Sequence, residues 1–302
     1  MSSGLDRTGA LSRIKAEYPF SSSFLEVDGG RLHFLDEGPR NAPAVLMLHG
    51  NPTWSFYYRH LVTAFRARYR VVVPDHLGCG LSDKPQGHSY RLDDRIRHVE
   101  SLASHLGLDR VTVVVHDWGG PIGMGYAQRN LQRARGFVVF NTSAFPSARI
   151  PPSIDVCRIP GFGALAIRGA NAFVRAALIR AVGHPERLTQ EVRDGYLLPY
   201  DSWKSRVALL RFVQDIPMSR SHPSHRTMEE IGEGLLRLRD KPMLVVWGAK
   251  DFCFDLEFHR EWMARFPNAE SHVLEDASHW VVEDAYERII PWMSALLERA
   301  NR

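Results

Sequence analysis

The sequence predicts an α/β fold in which a mostly parallel, eight-stranded sheet carries flanking helices and an inserted helical cap. Three observations predict it: short apolar runs ending in Gly, Pro, His or Asp, helix-period segments between them, and one long proline-rich stretch that breaks the alternation. Phe24–Asp28 and Arg31–Leu35 flank Gly29-Gly30, the alternation and two-residue turn of an antiparallel hairpin. Ala44–Leu48, Arg70–Val73 and Val111–Val115 follow. They are too short for helices and almost continuously apolar, as parallel strands buried on both faces are. Leu92–Leu108 sets Ile96, Val99, Leu102 and Leu106 at helical spacing on a charged background, which suits a crossover helix. Pro121–Arg133 reads as a helix, Gly136–Phe140, Pro242–Trp247 and Ser271–Leu274 as further strands, and Tyr286–Ala300 as an amphipathic helix. Between them, prolines 146, 151, 152, 160, 185, 199, 217 and 223 interrupt helical patches. The expected organisation is a core in two parts, residues 1–144 and 240–302, with a cap at 145–239.

Composition narrows the function classes. A chain of 302 residues with 44% hydrophobic and 24% charged residues can bury one large core with an insertion. No apolar run approaches the ~20 residues of a membrane helix, so no membrane span is expected. Met1–Phe20 lacks the apolar stretch of a secretory signal, which makes the cytoplasm the expected compartment. Cys79, Cys157 and Cys253 are odd in number and far apart, a poor pattern for disulfides or structural zinc. The net charge of +4 comes from dispersed arginines without a basic cluster or aromatic platform, which argues against a nucleic-acid partner.

The chemistry concentrates in Val115-His116-Asp117-Trp118-Gly119-Gly120, placed between a strand and a helix. That context suits a nucleophile elbow, a tight turn that projects its central side chain from the sheet's edge and needs small neighbours. Here the central residue is Asp117. An aspartate at such a junction also serves as a helix N-cap, and two further segments decide between the readings. His279, in Asp276-Ala-Ser-His-Trp280, lies beyond the last strand, and Asp251 ends the strand before it. The order nucleophile, acid, histidine is that of the α/β-hydrolase topology. Asn141-Thr142-Ser143 after Phe140 offers no anion there, so Asp251 is the preferred acid, with Asp255 and Asp276 as fallbacks. His49-Gly-Asn-Pro-Thr-Trp54 follows the first parallel strand and suits an oxyanion loop, its N–H at Asn51 joining that of Trp118. The Asn51 amide and Trp118 indole are neutral donors suited to a departing halide, although a turn asparagine and a core tryptophan would read alike.

Together with Asp75-His-Leu-Gly-Cys-Gly-Leu-Ser-Asp-Lys-Pro85, these motifs resemble the haloalkane dehalogenase family over about residues 24–300. The resemblance implies Asp117 as nucleophile, His279 as base, Asp251 as acid, and Asn51 with Trp118 as the halide-binding pair. It is nearest the third dehalogenase subfamily, which is similar to the β-lactone decarboxylases of bacterial long-chain olefin biosynthesis and tends to form homo-oligomers. The implied activity is hydrolysis of a carbon–halogen bond through an Asp117 alkyl ester, giving alcohol and halide. The alternative is a β-lactone decarboxylase giving alkene and CO2. Neither route requires a metal or organic cofactor, and the partner is a small apolar substrate, a haloalkane or alkyl β-lactone. Phe162, Phe173, Leu209, Phe212 and Ile216 are candidate pocket walls, although such spacing equally describes plain core. An epoxide hydrolase would need two cap tyrosines, for which only Tyr196 and Tyr200 are on offer. A non-catalytic receptor on this fold would be expected to lack the nucleophile or the histidine.

Overall fold

A computed structural model describes residues 11–302; the first ten residues of the Met1–Phe20 segment lie outside the described residues. Eight strands form one sheet in the order β1-β2-β4-β3-β5-β6-β7-β8. They are β1 (Ser23–Val27), β2 (Gly30–Glu37), β3 (Ala44–Leu48), β4 (Arg70–Pro74), β5 (Val111–His116), β6 (Ala134–Phe140), β7 (Met243–Gly248) and β8 (Glu270–Leu274). Only β1–β2 and β2–β4 are antiparallel. Both hairpin-turn glycines have positive φ, 97° at Gly29 and 144° at Gly30, conformations a side chain would strain.

Every residue of β3, β4 and β5 is buried, as their unbroken apolar composition requires. The pleat sends alternate side chains to opposite layers. Leu46 and Leu48 pack with Ile96, Val99 and Leu102 of α2 (Leu92–His105) and with Ile122 of α3 (Gly119–Arg129). Val45 and Met47 face the other way, onto Leu61 of α1 (Arg59–Phe65) and the C-terminal helix.

Between β6 and β7 the described residues form only helices and turns: α4 (Pro152–Asp155), a π-type turn Ala164–Gly169, α5 (Ala172–Arg180), α6 (Gln190–Leu197), α7 (Val207–Gln214) and α8 (His225–Gly234). Part of this segment has its own apolar cluster, with Ile167, Val174, Tyr200, Leu209 and Leu210 at its centre. Through Tyr196 it joins a buried polar cluster of the core. Arg59 binds both oxygens of Glu283 at 2.6 and 2.8 Å, and Tyr196 donates to Glu283 at 2.7 Å.

Two more helices complete the chain, α9 (Leu256–Arg265) and α10 (Val281–Ala300). The sequence places the start of the last helix at Tyr286; α10 begins at Val281 and kinks at Ala285. The extra turn brings in Asp284, whose carboxylate accepts backbone N–H groups of Gly183, His184 and Ser278.

The sheet order reverses around β3: the chain leaves it for β4 on one side and returns to β5 on the other. In such sheets the crevice beyond the carboxyl ends of the two central strands is open to ligand. Asn51 follows β3 and Asp117 follows β5 at that crevice.

Candidate active site

Asp117 is the first residue after β5 and has a φ of 51°, a left-handed conformation uncommon outside glycine. The surrounding glycines are required by contact. A Cβ on Gly119 would lie 1.9 Å from the Leu48 carbonyl oxygen, one on Gly120 2.0 Å from Thr142 Oγ1, and one on Gly50 2.0 Å from Asp117 Oδ1. The turn is held by Asp117 N–H donating to the Asn141 carbonyl at 3.1 Å and by Gly120 N–H and the Thr142 hydroxyl donating to the Asp117 carbonyl. The N-cap of the helix that follows is Trp118, which makes no side-chain cap hydrogen bond, so Asp117 does not hold the N-cap position.

The two carboxylate oxygens of Asp117 face different groups. Oδ1 accepts a 2.6 Å hydrogen bond from Asn51 N–H, and Oδ2 lies 3.8 Å from Nε2 of His279. Burial pushes this carboxyl's pKa above its ordinary value, although the charge of His279 and the N–H groups of Asn51 and Trp118 pull the other way.

His279, just before α10, donates through Nδ1 to Asp251 Oδ2 at 2.8 Å. Burial alone would lower the imidazole pKa. The charge and hydrogen bond of Asp251, together with the charge of Asp117, outweigh it and leave the pKa raised. The ring packs against His116, at 4.6 Å between centroids, and against Phe254, stacked at 5.8 Å. His116 also donates to the His279 carbonyl at 2.8 Å, which ties the elbow strand to the histidine's backbone.

Asp251, three residues past β7, accepts Cys253 N–H at 2.6 Å and the Asn141 amide at 2.9 Å. The amide at the end of β6 therefore acts as a donor to the acid, in keeping with its inability to be one. Asp255 caps α9 and pairs with Arg149, and Asp276 is held by His184 and Arg288 at the surface; neither fallback touches His279.

Asn51, Asp117, Trp118 and His279 all border one cavity of about 400 Å³, and every one of them is buried. The Asn51 side chain donates through Nδ2 to the Leu209 carbonyl at 3.1 Å, while its Oδ1 is buried without a partner among the described residues. Of the five candidate wall residues, Phe162, Phe173 and Ile216 line the cavity. Leu209 and Phe212 do not. Leu209 turns into the apolar cluster of the inserted segment and reaches the site only through its carbonyl. Phe212 packs behind Trp118 at 5.3 Å, with the buried guanidinium of Arg95 3.6 Å above its ring.

Sequence reasoning missed Phe252, Cys253 and Phe254, which form a wall beside the histidine. Their signal was an aromatic–Cys–aromatic triplet directly after the acid, with no periodicity to mark it. Tyr196 and Tyr200 are both fully buried away from the cavity, bonded to Glu283 and to the Thr53 carbonyl, so the paired tyrosines of an epoxide hydrolase are not present at these positions.

Comparison with known proteins identifies the fold and the family. A family described as alpha/beta hydrolase fold matches residues 43–162. A cis-3-alkyl-4-alkyloxetan-2-one decarboxylase of Shewanella oneidensis is 40% identical over 278 residues, covering 90% of this chain and 86% of that protein. Haloalkane dehalogenase 2 of Mycobacterium tuberculosis is 34% identical over 288 residues, covering 93% of this chain and 96% of that protein. Among solved structures, haloalkane dehalogenase DbeA from Bradyrhizobium elkani superimposes with a TM-score of 0.85 at 24% identity, over 93% of this chain and 99% of that one, a likeness of fold. By this near full-length identity the chain belongs to the α/β-hydrolase family that contains the oxetan-2-one decarboxylases and haloalkane dehalogenases.

Proposed function

We propose that the protein is an aspartate-nucleophile enzyme that converts a cis-dialkyl β-lactone to an alkene, with carbon–halogen hydrolysis as the second reaction of the same site. The observation that carries it is the divided carboxylate of Asp117, one oxygen held by a backbone N–H and the other turned toward His279 at an apolar cavity. A carboxylate needs no base to make it a nucleophile. The histidine is therefore free to act on water in a second step.

For a β-lactone, Oδ2 adds to the ring carbonyl carbon and gives a tetrahedral alkoxide. As the C=O reforms, the ring C–C pair becomes the alkene π-bond and the alkyl C–O pair stays on oxygen. The carboxyl carbon remains on Asp117 as a mixed carboxylic–carbonic anhydride. Water deprotonated by His279 then adds to the Asp117 carbonyl, and hydrogencarbonate leaves as the carboxylate is restored. The charge that builds on Asp117 during this addition falls on Oδ1, where the Asn51 N–H already points. Asp251 orients the imidazole and stabilises its cation.

For a haloalkane the same Oδ2 displaces halide at a saturated carbon, and hydrolysis of the alkyl ester releases alcohol. The indole of Trp118 and the amide of Asn51 are the donors proposed for the halide, and the dehalogenase relatives support this reading. The resemblance in the motifs put this reaction first. The higher identity of the decarboxylase, 40% against 34%, favours the lactone as the natural substrate. The cavity volume, within the ~300–1,000 Å³ usual for small-molecule sites, and walls such as Phe162, Phe173 and Phe254 suit either apolar substrate. In this reading residues 145–239 act as the cap over the site. The cytoplasm remains the proposed compartment, which the three free cysteines support.

The deciding experiment assays the purified protein side by side for alkene and CO2 from a cis-dialkyl β-lactone and for halide from bromo- and chloroalkanes. Alkene in large excess supports the lactone reading. Halide release alone would reverse the order.

A further inference from the structure

Five of the nine large apolar side chains exposed among the described residues lie between residues 156 and 179: Val156, Ile159, Phe162, Leu165 and Ile179, from 39% exposed at Val156 to 73% at Ile179. Soluble proteins rarely leave so concentrated an apolar group uncovered without a use for it. The group is continuous with the cavity, since Val156 and Phe162 are at once exposed and part of its wall. Helix α5 shows how the two surfaces meet. Ala172, Phe173, Ala176, Ala177 and Arg180 line the cavity, while Ile179 flanks that face one step round the helix, four residues from Arg175.

The charge of the same region is one-sided. Residues 149–180 hold five arginines and a single acid, Asp155. Arg149 is neutralised by Asp255 and Glu257, and Arg158 by Asp155. Among the described residues no carboxylate lies within 4.0 Å of Arg168, Arg175 or Arg180. Arg168 instead donates to the Trp203 carbonyl and to Gln86 Oε1 and lies 4.7 Å over the exposed indole of Trp203, and Arg180 lies 4.4 Å over the Phe252 ring, so both keep their full charge without a carboxylate partner.

Apolar side chains interleaved with arginines that no carboxylate neutralises are what the interface of an anionic bilayer selects: the aliphatic groups enter the acyl boundary and the guanidinium groups meet lipid phosphates. We infer that the rim of the cavity mouth, carried by residues 156–179, is a docking surface for an anionic lipid membrane. An apolar ligand would then pass between bilayer and cavity without crossing water. No described helix is long and apolar enough to span a membrane, so the contact is peripheral. The proposal does not depend on which bond the active site breaks.

Flotation of the purified protein with phosphatidylcholine vesicles, with and without about a third phosphatidylglycerol, tests it. The protein is expected to float with the anionic vesicles, weakly with the neutral ones, and less as salt is raised. The double variant Leu165→Asp/Ile179→Asp changes two residues outside the cavity wall and should lower anionic-vesicle binding by about tenfold or more. A second variant, Arg175→Glu, should weaken binding to anionic vesicles alone, by at least about the fivefold expected for one arginine near such a surface. Both should keep the wild-type melting temperature and turnover of a short, water-soluble substrate. Absence of flotation with anionic vesicles would overturn the proposal, as would binding that both variants leave unchanged. So would lipid-independent self-association of the wild type that the double variant abolishes, which would make the rim an interface between copies of the chain.

Discussion

Nε2 of His279 stands 3.8 Å from Oδ2 of Asp117, beyond a direct hydrogen bond yet close enough for one water molecule to reach both atoms. The spacing suits a base that acts on water after the carboxylate has acted on carbon. Replacing His279 by Phe should therefore spare the first step and stall the second. Turnover is expected to fall by at least about 10³-fold. A covalent adduct should accumulate on the peptide that contains Asp117, as read by mass spectrometry after digestion. An unmodified peptide, obtained with a substrate the wild type turns over, would contradict the two-step scheme.

The pH dependence follows from what raises the histidine. Burial opposes the charged ring, and the carboxylates of Asp251 and Asp117 overcome that opposition. Only neutral imidazole accepts a proton from water, so the second step should decline as pH falls below a pKa that lies above the ordinary ~6.5 in the resting enzyme. Once Asp117 is esterified its charge is gone and one raising cause with it. The acid limb of single-turnover hydrolysis should therefore sit lower than the titration of His279 followed by NMR in the free enzyme. Asp251→Asn removes the largest raising cause and should move both downward. A limb in the intermediate at or above the free-enzyme titration would show that Asp117 does not sense the imidazole.

Trp118→Phe separates the two reactions. If the indole serves a departing halide, its loss should slow halide release by about 10²-fold, the usual cost of one removed donor. The lactone route has no halide to hold, so alkene formation should change far less. Equal losses in both assays would place Trp118 in packing against Phe212 instead.

Gly50 offers a test that requires no charge change. A methyl group there would fall 2.0 Å from Oδ1 of Asp117, and the carboxylate would have to move away from the Asn51 N–H. Gly50→Ala is expected to reduce turnover to near background while costing about 1–3 kcal/mol in stability, measured by urea unfolding. Retention of wild-type turnover would mean that Oδ1 has no need of its present place.

The Glu283–Arg59 pair should show in stability. Burial raises the Glu283 pKa, but the Arg59 charge and hydrogen bonds outweigh it and hold the folded carboxyl below its ordinary value. Its contribution is therefore present above the unfolded pKa of ~4.3 and lost as pH falls through the depressed folded value. Glu283→Ala leaves a guanidinium buried without its strongest partner and should cost about 3–5 kcal/mol near neutrality. A loss under 1 kcal/mol in urea titration would mean that Glu17 and solvent replace the pair.

How much of this was legible in the chain depends on how local the signal is. The strand-turn-helix at Asp117 was legible because a motif of six residues fixes its own backbone, whereas the strand order around β3 depends on long-range pairing that no local pattern carries. Asp251 and His279 were legible because strand ends at the carboxyl edge of a parallel sheet converge. The cavity wall was only half legible. Leu209 and Phe212 lie on an apolar stripe of α7 that could face a cavity or a core with equal ease, and only the packing of Trp118, Arg95 and the inserted helices decides it. Phe252, Cys253 and Phe254 sit in a loop, where no period distinguishes a wall from a turn.

The Asn51 side chain hangs from the carbonyl of Leu209, a backbone atom of the helical segment between β6 and β7. A substitution on that segment that moves the Leu209 carbonyl, chosen to admit a bulkier substrate, would shift this tether and move the Asn51 side chain at the cavity with it. Attempts to reshape the entrance should thus be felt first as altered rates with unaltered ligands, a sign that doorway and workbench share one hinge.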